Sequence, residues 1–184
     1  MTGWIFDFDG VLVNTMEGHF ACYSAALAEA GIPIDRAQFF SQAGMTGREQ
    51  IAYFAARAGV SVDPDAIYKR KGEIFREKKP EATPIEPMVR LLATLRASGV
   101  PIAIATGSSR LSVTPVIERY DLTPTVLVAA EDVARGKPHP DLFLRAAELL
   151  RIPPADCVVI EDSDVGIEAA KSAGMRALRF FDRR

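Results

Sequence analysis

The chain has 184 residues with a formal net charge of −2 and a pI near 5.8, so no global field attracts nucleic acid or an acidic membrane surface. Its 48% hydrophobic and 25% charged residues fit one globular unit, or a core with a small insert. No stretch approaches the about 18 apolar residues of a membrane span, and no signal-type segment opens the chain, so we expect a cytoplasmic protein.

Short apolar runs rich in β-branched residues alternate with helical patterns along the chain. The runs predict strands at 4–8, 100–106, 125–129 and 157–160, and a less regular run predicts a fifth at 176–181. The helical patterns lie at 87–98, 141–150 and 165–173, and each stops close to a glycine or a proline. Strands that alternate with single helices predict right-handed βαβ units, and hence an α/β fold with a Rossmann-like parallel sheet.

The interval from 15 to 83 departs from this alternation because its patterns are helical only, at 16–30, 48–58 and 64–79. A crossover between parallel strands needs only about a dozen residues, so the interval predicts an inserted helical subdomain. The proline-rich stretch 79–87 predicts the linker that returns the chain to the sheet. The predicted organisation is a core made of 1–14 and 84–184 with an insertion at 15–83.

The first predicted strand ends in two carboxylates, Asp7 and Asp9, within the run IFDFDGVLVNT. An ionised carboxylate that leaves water without a partner is costly, so this pair requires a cation or several hydrogen-bond donors. Gly10 supplies a turn that would separate the two side chains. The alternative is a strand that ends at Phe6 and leaves both acids in a solvated loop.

Polar groups follow the other predicted strands as well. These are Thr106-Gly107-Ser108 after the second strand, Lys137 after the third, and Glu161-Asp162 at the end of the fourth. Parallel sheets place their sites at the carboxyl ends of the strands, so we expect these groups to converge. Carboxylates, hydroxyls and a lysine suggest Mg²⁺ and a phosphoryl group, and therefore phosphoryl transfer. Zinc ligand spacing, a Walker loop and a dinucleotide fingerprint are missing from the sequence.

The stretches DFDGVLVNT, ATGSS, GKPHPDLF and VIEDSDVGIEAAKSAGM resemble, in order and spacing, the four signature motifs of the haloacid dehalogenase superfamily. They are similar to its β-phosphoglucomutase-like branch of phosphatases and phosphomutases, in which a helical cap follows the first motif. The resemblance implies that Asp7 attacks phosphorus and forms an aspartyl-phosphate, while Asp9 acts as general acid and base. It also implies that Mg²⁺ binds the Asp7 carboxylate, the Asp9 backbone carbonyl and Asp162, with Glu161 acting through water.

The same resemblance assigns the phosphoryl oxygens to Thr106 and to the backbone at Gly107 and Ser108. Lys137 would neutralise charge on the nucleophile and on the phosphoryl group.

Three residues of the insertion are candidates for substrate contact. His19, in the segment EGHF, is similar to a segment near the acid/base Asp of the family, although a buried helical histidine is the common alternative. Arg48 lies in 44–49, which resembles the family's cap loop, and a charge at a helix start is its alternative reading. Lys71 corresponds to a cap lysine of the family, and a solvated basic face is its alternative.

Five further residues have mainly structural interpretations. Asp164 either approaches the metal or caps a helix, and Asn14 caps the first helix of the insertion at a place where relatives often have Asp. His139 is expected to shape the loop after Lys137. The two cysteines are expected to be small buried hydrophobes.

The leading hypothesis is a Mg²⁺-dependent phosphatase that acts on a small phosphorylated metabolite, with a sugar phosphate as the expected class. The first alternative is a sugar phosphomutase, which Arg48 and Lys71 favour because a mutase binds a second phosphate at the cap. The second alternative is a non-catalytic regulatory binding module on the same fold. We expect no nucleic-acid or membrane partner. The chain ends soon after the fifth predicted strand, which would leave a sheet edge or face less covered and favour either marginal stability or an oligomer, so we expect a monomer or a homodimer.

Overall fold

The computed structural model describes residues 1–42, 45–78 and 81–181. Their strands and helices are, in chain order, β1 (Gly3–Phe6), β2 (Val13–Asn14), α1 (Met16–Glu29), α2 (Arg36–Ser41), α3 (Gly47–Ala58), α4 (Pro64–Lys78), β3 (Thr83–Pro84), α5 (Glu86–Ala97), β4 (Ile102–Ala105), α6 (Arg110–Arg119), β5 (Val126–Val128), α7 (Asp141–Leu150), β6 (Cys157–Glu161), α8 (Asp164–Ser172) and β7 (Arg176–Arg179).

Five strands form one sheet in the order β5-β4-β1-β6-β7. Every neighbouring pair in it is parallel, with Ile5 opposite Ala103 on one side and opposite Val159 on the other. The central strands are apolar at almost every position because both faces of a parallel sheet are covered by helices. The predicted α/β class with a Rossmann-like sheet is confirmed.

Helices pack on both faces of the sheet. One apolar cluster joins β1, β4 and β6 to α7 and α8, with Phe143 and Ala169 among its buried members. The other cluster joins the opposite face to α5 and α6 through Leu92 and Ile117. The sheet is therefore held in a three-layer arrangement, with its carboxyl edge free to carry polar side chains.

Helices α1 to α4 of the insertion pack around a third apolar cluster of their own. Its buried members include Leu27, Phe39, Ile51 and Phe54. The chain leaves the sheet along β2 and returns along β3, and these two strands pair in antiparallel fashion. The division of the chain at 14/15 and 83/84 stays a prediction.

Several elements differ from the sequence-based expectations. Helix α2 was not predicted because it is only six residues long, and its N-cap Asp35 accepts a 3.0 Å hydrogen bond from the Gln38 backbone. Helix α6 was missed because Pro115 lies inside it. The first strand ends at Phe6 rather than at residue 8. The predicted helix at 64–79, the linker at 79–87 and the cap loop at 44–49 each include residues outside the described ranges.

Asn14 does not cap α1, which corrects one prediction. It is an exposed residue of β2, paired with Thr83, and the N-cap position belongs to Thr15. Both cysteines are buried and free, as predicted. Over the ranges that the structure describes, no helix combines the length and the apolar character needed to cross a bilayer.

Candidate active site

The predicted polar groups meet at the carboxyl edge of the sheet, where the insertion covers them. A cavity of about 50 Å³ lies there between the core and the insertion. Its core side is formed by Asp7, Asp9, Thr106, Gly107, Ser108 and Asp162, and its lining from the insertion includes His19 and Lys71. Two predicted site residues, Lys137 and Glu161, are not part of this lining but adjoin it: Lys137 contacts both Asp7 and Glu161.

Lys137 is the fully buried cation of the site. Its Nζ donates a 2.7 Å hydrogen bond to Asp7 Oδ1 and a second bond to Glu161 Oε1, and it lies 5.1 Å from the centre of the Phe143 ring. Burial alone would lower the pKa of Lys137, but the charges of Asp7 and Glu161 outweigh it and hold that pKa above its usual range. The lysine therefore remains protonated across the physiological range.

Three carboxylates surround this lysine. Oxygens of Asp7, Glu161 and Asp162 all lie within 4.8 Å of one another. Burial, opposed by Lys137 and reinforced by Glu161 and Asp162, holds the pKa of Asp7 well above its usual range. Burial and the charge of Glu161 raise the pKa of Asp162 to about 7. The cluster thus contains three carboxyl groups and only one ammonium group, so it can accept a further positive charge. Hard oxygen donors of this kind fit Mg²⁺.

Glu161 is fixed by protein donors at both of its oxygens. Lys137 binds Oε1, while the Ser163 backbone N and Oγ donate to Oε2 at 2.8 and 2.9 Å. A Cβ at Gly166 would lie 2.0 Å from the Glu161 carboxyl, so the start of α8 reaches its position only with glycine there. Burial raises the pKa of Glu161, but the Lys137 charge and the Ser163 hydrogen bonds outweigh burial and hold the pKa below its usual range.

Gly10 makes room for Asp162. It has φ +90°, in the left-handed region that favours glycine, and an added Cβ would lie 2.2 Å from Asp162 Oδ2. The turn after β1 therefore separates Asp9 from Asp7 and also brings the backbone close to the acidic cluster.

Asp9 faces a different set of groups from Asp7. Its Oδ2 accepts hydrogen bonds from Ser108 Oγ at 2.7 Å and Thr106 Oγ1 at 3.3 Å, and its Oδ1 accepts one from Thr15. His19 Nε2 lies 3.3 Å from Oδ1. Burial raises the pKa of Asp9, but His19 and the hydroxyl donors outweigh burial and hold the pKa well below its usual range. Asp7 therefore binds a proton more readily than an ordinary aspartate and Asp9 less readily, although only two positions separate them in the chain.

His19 connects Asp9 to the insertion. Its Nδ1 accepts a 3.0 Å hydrogen bond from Lys71 Nζ, which leaves Nε2 to donate to Asp9. Burial and the Lys71 charge lower the pKa of His19, and burial lowers the pKa of Lys71 to about 8. A neutral imidazole is therefore the form that faces Asp9 at neutral pH, and it acts there through its hydrogen bond.

Arg48 is an exposed residue of the insertion. It pairs with Asp65 on the surface of the insertion and lies 5.0 Å from the centre of the Tyr68 ring. Within the described part of the chain, Arg48 does not belong to the cavity lining. Its predicted contact with substrate stays a prediction.

Several lining residues were not predicted from the sequence. They are Met16, Tyr23, Phe39, Gln50 and Tyr68, whereas the lining residues Met45 and Gly47 belong to 44–49, the stretch that resembles the family's cap loop. Helical spacing contained a signal for two of them, because Tyr23 follows His19 by four residues and Tyr68 precedes Lys71 by three. Those positions share a helix face with the predicted residues.

Two further predictions concern residues next to the site. Asp164 neither caps α8 nor joins the acidic cluster: the cap is Ser163, and Asp164 is an exposed residue that pairs with Arg179 Nη2 at 2.6 Å. His139 stands in the turn after Lys137, where its backbone N donates to Gly136 O at 2.9 Å. The predicted loop-shaping role of its side chain stays a prediction.

A model of the haloacid dehalogenase-like hydrolase family matches residues 4–180, and the chain belongs to this family of enzymes. The resemblance read from the four motifs is thereby confirmed.

Relatives in the family include enzymes of two kinds. A β-phosphoglucomutase of Bacillus subtilis (strain 168) is 31% identical over 188 residues, which cover 97% of this chain and 82% of that protein. The fructose-1-phosphate phosphatase YqaB of Escherichia coli (strain K12) is 31% identical over 179 residues, which cover 96% of this chain and 94% of that protein. The crystal structure of a hydrolase from Pseudomonas syringae has a TM-score of 0.89 at 26% identity, covering 97% and 84% of the two chains.

Proposed function

We propose that this protein is a Mg²⁺-dependent phosphatase of small phosphorylated metabolites, with sugar phosphates as its substrate class. The observation that carries the proposal is the pair of contrasting aspartates. Asp7 lies in a cluster with Lys137 and Asp162, and Asp9 lies among hydroxyl and imidazole donors. Environments that shift the pKa values of two titratable groups in opposite directions support different roles for these groups in one reaction. A sugar-phosphate phosphatase and a sugar phosphomutase among the relatives support the substrate class.

In the first step, an Asp7 oxygen attacks phosphorus and the bond from phosphorus to the leaving alcohol oxygen breaks. The proton of Asp9 passes to that oxygen, so the alcohol leaves neutral and an aspartyl-phosphate remains. In the second step, water attacks phosphorus, its proton passes to Asp9, and the bond to the Asp7 oxygen breaks. Inorganic phosphate and the two free carboxyl side chains result.

The low pKa of Asp9 keeps its side chain ionised, which is the form that the second step requires, and it also makes this carboxylate a weak base. For the first step Asp9 must carry a proton, and an anionic phosphoryl group beside it would raise its pKa because like charges disfavour ionisation. Thr106 and Ser108 already donate to Asp9. These hydroxyls would turn to the phosphoryl oxygens when substrate binds, which removes two of the bonds that hold Asp9 ionised.

Asp7 and Asp162 would hold Mg²⁺, together with the Asp9 backbone carbonyl, as the family resemblance implies. Glu161 would act through water because both of its oxygens already bind protein donors. When bound, Mg²⁺ supplies the positive charge that brings an anionic phosphoryl group next to a carboxylate nucleophile. The insertion serves as the cap over this site and excludes bulk water.

A phosphomutase is the second candidate function. Lys71 lies in the cavity lining and the Bacillus subtilis relative supports this candidate. The same aspartyl-phosphate would then transfer its phosphoryl group to a sugar hydroxyl instead of to water. A non-catalytic binding role has no comparable support, because each motif residue that the reaction requires is present.

A panel of phosphate esters, assayed for released phosphate with and without Mg²⁺, tests the proposal. We expect turnover of sugar phosphates that depends on Mg²⁺. A second reaction with hexose 1-phosphate, Mg²⁺ and a catalytic amount of hexose bisphosphate separates the two candidates. Hexose 6-phosphate formed without free phosphate would establish the mutase and exclude the phosphatase.

A further inference from the structure

Gly136, the residue before Lys137, lies against the cap. A Cβ added at this position would lie 2.3 Å from Thr46 Cγ2, 2.8 Å from Glu49 Oε2 and 2.9 Å from the Thr46 backbone N. Real Cβ atoms do not approach other heavy atoms so closely. Gly136 does not have the positive φ that would by itself require glycine. The glycine is therefore needed for the close approach of the cap, and its own backbone conformation does not require it.

The cap atoms that face Gly136 cannot turn aside. Thr46 and Glu49 form a capping box at the start of α3, in which Glu49 Oε2 accepts from the Thr46 backbone N at 2.9 Å and from Thr46 Oγ1 at 2.6 Å. Rotation of either side chain would break the bonds that satisfy the first turn of the helix. One of the three close atoms is backbone, which has no rotamer to change.

The loop at Thr46 cannot retreat into the cap either. The next residue, Gly47, is itself packed so closely that an added Cβ would lie 2.2 Å from the Tyr68 ring and 2.3 Å from Tyr23 Oη. The loop is thus enclosed between the core and two cap helices. On the core side, Gly136 O accepts the bond from His139 N that closes the turn after Lys137.

We propose that Gly136 is a positioning residue for cap closure, and that its missing side chain lets the start of α3 seat on the loop that carries Lys137. A side chain at 136 would hold the whole cap away from the core, because neither surface can yield locally. When the cap is seated, the start of α3 packs directly against the residue that precedes the buried Lys137. The effect on turnover rests on the proposed function, whereas the effect on cap position does not.

The decisive experiment measures cap position and turnover in Gly136→Ala. Spin labels at Ala56→Cys in α3 and Glu148→Cys in α7 report the distance between cap and core, since both positions are exposed and both native cysteines are buried. Inorganic phosphate with Mg²⁺ is the probe ligand. Gly72→Ala in α4 is the matched control, because the nearest heavy atom to its added Cβ would be Arg76 Nη1 at 3.7 Å.

We expect the label distance to lengthen in Gly136→Ala and to stay at the wild-type value in Gly72→Ala. We expect kcat/KM for a sugar phosphate to fall by about 10- to 100-fold in Gly136→Ala, because a small displacement of reacting groups has effects of this size. Adding Thr46→Ser removes Cγ2, the closest atom, and keeps the hydroxyl that caps α3. The double variant should therefore regain part of the short distance and part of the activity.

An unchanged label distance in Gly136→Ala, or a core that unfolds by circular dichroism instead of a cap that opens, would overturn the proposal. A double variant that stays as open as Gly136→Ala also contradicts it. If no ester is turned over by the wild-type protein, the proposed function fails, and the distance measurement still decides the role of Gly136.

Discussion

Lys71 Nζ lies 3.0 Å from His19 Nδ1 although the two residues are 52 positions apart in the chain, and both are buried. Two positive charges at this separation repel each other strongly in a buried site. The contact therefore makes the protonation of one group depend on that of the other, and it does so beside Asp9.

The burial of Lys71 predicts a pH dependence of stability. Burial lowers the pKa of Lys71 from 10.5 to about 8. Between these values the unfolded chain binds the proton and the folded protein does not, so stability rises with pH across this window. Relative to Lys71→Met, the wild-type protein should gain about 3 kcal/mol in its free energy of unfolding as pH rises from 8 to 10.5. Urea unfolding of both proteins at several pH values measures the difference, and parallel curves would contradict it.

Asp7→Asn should abolish turnover and leave the fold intact. We expect a loss of roughly 10³-fold or more in kcat, as for other covalent nucleophiles. The ionised Asp7 is disfavoured by burial and by neighbouring carboxylates, and Lys137 keeps its bond to Glu161. The melting temperature of the variant should therefore not fall. A variant that retains most of the wild-type rate would refute the proposed nucleophile.

Mg²⁺ should stabilise the folded protein through the acidic cluster. A ligand that binds only the native state raises the free energy of unfolding by about 2.7 kcal/mol at a hundred times its Kd. We expect Mg²⁺ to raise the melting temperature of the wild-type protein and to leave that of Asp162→Asn unchanged. Asp164→Asn is the matched control, since Asp164 is exposed and pairs with Arg179. It should respond to Mg²⁺ as the wild type does, and an equal response from Asp162→Asn would exclude that residue as a ligand.

Arg48→Ala should have little effect on a phosphatase. The pair with Asp65 is exposed, and exposed pairs contribute about 0 to 1 kcal/mol to stability. We expect kcat and KM for phosphate release to stay near the wild-type values. A rise in KM confined to a bisphosphate substrate would instead place Arg48 at a second phosphate, as in a mutase.

Gly166→Ala tests how the start of α8 supports the buried lysine. The added methyl would meet the Glu161 carboxyl, and overpacking of this kind typically destabilises by about 1 to 3 kcal/mol. Gly72→Ala provides the comparison, because its added Cβ would make only an ordinary van der Waals contact, 3.7 Å from Arg76 Nη1. Chemical denaturation should show a loss for the first variant only. Equal stability of the two would mean that Glu161 can move without cost.

The residues at the strand ends were predictable because a parallel sheet brings its carboxyl ends to one edge whatever the length of the chain between them. Asp7, Lys137 and Asp162 are separated widely in sequence, yet Asp7 and Asp162 stand at the ends of apolar runs and Lys137 lies in the loop that follows another one. The fold class followed from the same alternation of strands and helices.

The residues of the insertion that line the cavity were harder to predict from the sequence. Phe39 and Gln50 reach the cavity because separate helices pack against one another, and no local pattern fixes that packing. Helix α6 contains Pro115, which by itself predicts a break, and tertiary packing of Val113 and Ile117 compensates for it. The short pair of β2 and β3 is below the length at which alternation can be recognised.

That short pair has an evolutionary consequence. Asn14 on the departing chain lies opposite Thr83 on the returning chain, so the two ends of the insertion are neighbours. A segment whose ends are adjacent can be lengthened, shortened or exchanged as a unit, because no strand of the sheet has to change its register. Selection can therefore change much of the insertion without disturbing the sheet, as long as the close contacts between them, such as Thr46 with Gly136 and His19 with Asp9, are kept.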